Sequence, residues 1–128
     1  MERAIQLIAA LNFLLMGLSH ITAHKEWAEF FILLRSKGAA GNFFNALLTL
    51  AMGSLIVGFH NVWTGLPMLL TILGWLYILK SALYLLFPRI GLRSLERISL
   101  EKSRKFIAAG VMLLVFSGVL FAHLWMTS

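Results

Sequence analysis

The chain has 128 residues, 60% of them hydrophobic and 12% charged, with a net charge of +6 and no cysteine. A mean hydropathy of +0.88 leaves too little polar surface for a water-soluble domain of this size. The missing thiols exclude disulfides, thiolate metal sites and cysteine nucleophiles.

Four apolar runs fill most of the chain, at approximately 4–23, 41–60, 66–87 and 106–126, and none contains an acidic residue. Each is close to the ~20 residues that cross a ~30 Å hydrocarbon core. Backbone in lipid must satisfy its own hydrogen bonds, and no ten-residue alternation suited to a barrel strand is present. Each run is therefore predicted to be a spanning helix. The expected fold is an all-α, four-transmembrane-helix bundle of two helical hairpins joined on the inside. It forms one integral membrane domain over 1–128, without a linker.

The first run follows a single Arg3 and lacks a short apolar core with a fitting cleavage site, so it is expected to stay as the first span. Asn12 and His20 lie within it. The connection from Lys25 to Lys37 is too short to span. It places Trp27, Phe30, Phe31 and Leu34 at three-to-four spacing opposite Glu26, Glu29 and Lys37, which predicts a short amphipathic helix in the interface.

On the second run Gly41, Asn45, Thr49 and Gly53 form one i,i+4 stripe. Such a stripe either brings helix backbones together or lines a path for a polar solute. The turn from His60 to Gly65 is compact and leads to Pro67, a good first-turn residue. Trp63 suits the headgroup level, and His60 and Asn61 are placed to bond free backbone groups of the flanking helices. Alternatively, His60 and Asn61 with His123 offer an external contact to a ligand or partner subunit.

Lys80 in the third run is the one charge inside a span. It lies seven residues before Phe87, roughly 10 Å at the helical rise, and so either snorkels to the interface or faces a cavity with His20 and Asn45. No span holds a carboxylate to pair with it, which disfavours a proton relay. Beyond Pro88 and Gly91, the stretch from Arg93 to Lys105 is predicted to be a second interfacial helix. Leu92, Leu95 and Ile98 recur every three residues, and Arg97/Glu101 and Glu101/Lys105 stand four apart.

Charge sets the expected orientation. Lys25, Arg35 and Lys37 in the first connection and Arg89, Arg93, Arg97, Lys102, Arg104 and Lys105 in the third stand nine against one, Arg3. By the positive-inside rule both connections are cytoplasmic and both termini outside. Anionic headgroups then account for the basic face, and no nucleic-acid partner is expected, because no stacking aromatics interleave with it.

His20 and His24 stand four apart, but two ligands do not make a zinc site, so no metal is expected. No cofactor is expected. No Ser-His-Asp set, intramembrane carboxylate pair or phosphate loop is present, so no catalytic residue is assigned. The candidate functional residues are Lys80, His60, Asn61, Trp63, Asn45 and His20.

The run Gly53-Ser54-Leu55-Ile56-Val57, then His60-Asn61, Trp63, Thr71, Gly74-Trp75, Lys80 and Pro88, resembles a family of small bacterial four-helix integral membrane proteins of uncharacterised function. The resemblance covers about 36 residues and departs at Ser81, where that family carries Gly. It implies a bacterial inner-membrane location and a turn in which His60, Asn61 and Trp63 matter, and it implies no activity. The functional expectation is a non-enzymatic accessory, assembly or interaction protein that self-associates or joins a larger membrane partner. A small oligomeric transporter or channel subunit is the alternative.

Overall fold

The computed structural model describes residues 1–128 and contains six helices and no strands. These are α1 (Glu2–Thr22), α2 (His24–Ser36), α3 (Ala39–Phe59), α4 (Met68–Leu86), α5 (Pro88–Glu96) and α6 (Lys105–Met126). Four of them, α1, α3, α4 and α6, are long and apolar enough to cross a membrane. Their outward faces carry Leu15, Leu47, Leu55, Leu76, Met112 and Val115, all exposed. A surface of that kind belongs in hydrocarbon.

The four long helices pack as two antiparallel pairs, α1 with α6 and α3 with α4. Glycine decides both contacts. A Cβ on Gly110 would stand 2.6 Å from the Gly17 carbonyl oxygen, and one on Gly17 would stand 2.8 Å from that of Gly110. Ser117 adds an interhelical bond, its Oγ donating to the Ala10 carbonyl at 2.8 Å. In the second pair a Cβ on Gly53 would meet the Gly74 carbonyl oxygen at 2.9 Å, and one on Gly74 would meet Ile56 Cγ2 at 2.6 Å. Close backbone approach replaces the hydrophobic drive that lipid cannot supply.

The sequence suggests two hairpins joined on the inside. The structure has one sequential hairpin, α3–α4, closed by the 60–67 turn, while the first and last helices pair with each other. The two pairs meet in the half of the bundle that holds the termini, around Ala9, Ala10, Phe13, Ile56, Leu70 and Leu120.

The opposite, basic end is closed by α2 and α5. Gly41 sits against the Leu34 carbonyl so closely that any Cβ would overlap it, and Gly38, at φ +61°, makes the turn between α2 and α3. Asn42, fully buried, donates from Nδ2 to the Tyr84 carbonyl at 3.1 Å. Its Oδ1 fills the space where a Cβ of residue 91 would stand, so only glycine fits at that position of α5.

Two sequence expectations change here. The short helix expected over Lys25 to Lys37 forms as α2, one residue earlier. The second does not run from Arg93 to Lys105: α5 begins at Pro88, ends at Glu96, and residues 97–104 are not helical. Arg35 takes the Ile98 carbonyl at 2.9 Å, and the Lys102 amide turns back to Ser99. A continuing helix would have joined those two backbone groups to each other. Arg97, Glu101 and Lys105 therefore do not share a helical face.

Candidate functional site

At the end of the bundle that holds the termini, His60 lies one residue past α3 and is fully buried. The Gln6 amide donates from Nε2 to His60 Nε2 at 3.0 Å, so the proton of a neutral ring sits on Nδ1 and donates to Thr71 Oγ1 at 3.0 Å. Thr71 Oγ1 also accepts the Val62 amide at 3.0 Å and turns its own hydrogen towards the His60 carbonyl at 3.4 Å. Burial lowers the pKa of His60 from the ordinary histidine value, in keeping with that neutral tautomer. One imidazole thus ties α1, the end of α3 and the start of α4 together.

Asn61 is not part of this network. Its Oδ1 accepts the Trp63 indole N–H at 3.0 Å, and both side chains are exposed. His123 lines a cavity of about 400 Å³ with Glu2, Arg3, Gln6, Val62 and Thr127, which the side chains of His60 and Asn61 do not line. His60, Asn61 and His123 share no hydrogen bond and no one cavity lining, although Gln6 and Val62 of the His60 network also line the His123 cavity. His60 holds helices together through the Gln6 and Thr71 side chains, not through the free backbone groups of the flanking helices that the turn reading expects. Nearby, Arg3 donates to Thr127 Oγ1 at 2.6 Å and to the Leu124 carbonyl at 3.1 Å, closing the carbonyl end of α6.

Towards the basic end the two helix pairs splay, and a cleft of about 750 Å³ opens between them, floored by α2. Its lining is apolar at mid-bundle, with Phe13, Met52, Leu73, Met112, Leu113 and Phe116. Polar groups gather towards the basic end, where Ser19, His20, Glu26, Asn45 and Lys80 share the wall, with Thr49 at the middle of α3. His20, Asn45 and Lys80 thus line one cavity.

Each of these polar side chains is held differently. His20 donates from Nδ1 to the Met16 carbonyl at 2.6 Å and stacks on Trp27 with ring centroids 4.3 Å apart. The Trp27 indole N–H donates to Ser19 Oγ at 2.8 Å, so α2 is pinned to α1 along this wall. Thr49 turns back to the Asn45 carbonyl at 2.9 Å. Lys80 is exposed, and its Nζ lies 5.6 Å from the Tyr84 ring centroid, one helical turn nearer the basic end. The ammonium therefore leans along its stem while staying on the rim of the cleft.

The stripe read on the second run divides. Gly53 seals α3 against α4 and Gly41 seals it against α2, whereas Asn45 and Thr49 face the cleft. Most other polar residues of the spans bond their own helix: Asn12 bonds the Ile8 carbonyl, Ser54 that of Leu50, and Ser81 that of Ile78. His24 leaves His20, since its Nδ1 lies in a hydrogen bond 2.9 Å from Ser103 Oγ. No group of three or more His, Cys, Asp or Glu side chains comes together.

Sequence reasoning missed Gln6 and Asn42, both buried. The available signal was an amide in an apolar run at the depth of a histidine (Gln6 and His60) or beside a stripe already noted (Asn42). Comparison with protein-family models, with curated proteins and with solved structures finds no match for this chain.

Proposed function

We propose that the chain is a non-enzymatic protein of the bacterial inner membrane, an accessory or interaction protein that works through the cleft and self-associates or joins a larger membrane partner. The cleft carries this reading. It is walled by all four long helices and α2, apolar along its length and polar at one end, the form in which membrane-embedded binding sites discriminate their occupants. Extraction in mild detergent, followed by mass measurement, should give an assembly heavier than one 14.4 kDa chain with its detergent, or a stoichiometric second protein. A bare monomer at every concentration, with nothing bound, would refute it.

In this reading the basic end is cytoplasmic, both termini lie outside, and α2 and α5 rest at headgroup depth. Ser36 and Ser128 are exposed at opposite ends of a chain that has no native cysteine. Ser36→Cys should react with a membrane-impermeant maleimide only from the cytoplasm, and Ser128→Cys only from outside. Labelling of Ser128→Cys from the cytoplasm would invert the topology.

A second reading, a small oligomeric transporter or channel subunit, draws on one observation: Lys80, His20 and Asn45 line the same cavity. It requires a solute flux in liposomes that Lys80→Met abolishes. The accessory reading requires no flux above empty liposomes, with both Lys80→Met and Lys80→Arg assembling normally.

A further inference from the structure

We infer that the cleft holds an acyl chain of one phospholipid from the adjoining leaflet, with the lipid phosphate on Lys80 and an ammonium head group towards Glu26. The inference rests on the cleft being a binding site, as proposed above, and names its occupant.

Size argues against a partner helix enclosed whole in the cleft. A spanning helix from a partner, ~10 Å across and ~30 Å long, occupies roughly 2,400 Å³. The cleft offers about 750 Å³, within the usual range for small-molecule sites and suited to an acyl chain.

Polarity sets the direction of the occupant. Phe13, Met52, Leu73, Met112 and Phe116 form the mid-bundle part of the wall, against which only methylenes fit without loss. The rim at the basic end carries one cation, Lys80, and one anion, Glu26, both exposed. Away from the helix ends, where Glu2, Arg3 and Lys105 stand, Lys80 is the one charge within the spans, and no carboxylate lies among them. A phosphate at headgroup depth supplies the missing anion in a charge-assisted contact, and the lean of Nζ over Tyr84 directs it towards that depth. Glu26 then favours a primary ammonium, which donates hydrogen bonds, over a purely anionic head.

The test uses the full chain reconstituted in vesicles of equal phosphatidylethanolamine, phosphatidylglycerol and phosphatidylcholine, gently extracted and weighed by native mass spectrometry. The wild type should keep one phospholipid per chain, predominantly phosphatidylethanolamine. Lys80→Met and Ala109→Trp, which fills the cleft from an exposed wall position, should each lower that occupancy at least tenfold. Lys80→Arg should retain it, as should Val115→Trp on an exposed position outside the cleft lining. Glu26→Gln should keep one lipid and lose the preference among head groups.

Equal retention in Ala109→Trp and Val115→Trp would mean lipid bound only around the perimeter, and would overturn the inference. Loss in Ala109→Trp with full retention in Lys80→Met would overturn the phosphate contact while leaving the cleft as a binding site. A stoichiometric polypeptide displacing the lipid would overturn the lipid and keep the interaction reading. Unchanged helical circular dichroism in every variant separates lost binding from lost folding.

Discussion

Gly110→Leu is expected to split the α1–α6 pair, and Gly53→Leu the α3–α4 pair, each at a cost of about 3 kcal/mol or more. The reason is backbone contact. A Cβ at residue 110 would already stand 2.6 Å from the Gly17 carbonyl oxygen and 2.9 Å from His20 Cβ, and one at 53 would stand 2.9 Å from the Gly74 carbonyl oxygen. Overpacking costs ~1–3 kcal/mol where side chains can shift, and carbonyls in a helix cannot. Against a total stability of ~5–15 kcal/mol the loss is large. Gly58 and Gly118 have nothing within 4 Å of such a Cβ, so Gly58→Leu and Gly118→Leu should leave thermal unfolding in detergent nearly unchanged. Equal melting temperatures for all four variants would show that the glycine contacts do not hold the pairs.

Thr71→Val should destabilise by roughly 2–5 kcal/mol, since it keeps the shape of the side chain and strands two donors, the His60 Nδ1–H and the Val62 amide. Asn61→Ala, on the exposed Asn61–Trp63 contact, should fall within about 0.5 kcal/mol of the wild type. A similar cost at both positions would mean that the turn, not the buried network, carries the stability.

The same network gives a pH dependence. Burial lowers the folded pKa of His60 from 6.5, so the unfolded chain takes up a proton on that ring which the folded chain refuses. The His60 contribution is therefore fully present above pH ~6.5 and is lost as the pH falls below it. Denaturation measured between pH 7 and 5 should show this slope in the wild type and a shallower one in His60→Gln. Identical slopes would contradict it.

Composition and run length determined the number and limits of the apolar helices, because a hydrocarbon core imposes both length and apolarity on anything that crosses it. The predicted runs and the observed helices differ by at most two residues at each end. The 24–36 helix was legible too, from the spacing of Trp27, Phe30, Phe31 and Leu34. The break after Glu96 was not, because it depends on Arg35, some sixty residues away, taking the Ile98 carbonyl.

Polar residues followed the same division. That Lys80, His20 and Asn45 stood in spans was evident from the sequence alone. That they line one cleft, while His60 is sealed between Gln6 and Thr71, depends on which helices pair. Hydropathy is uniform around each span and carries no pairing information. Pairing was decided by where backbones can touch: Gly17 on Gly110 and Gly53 on Gly74 draw the four helices into two tight pairs, and the space left between those pairs is the candidate site.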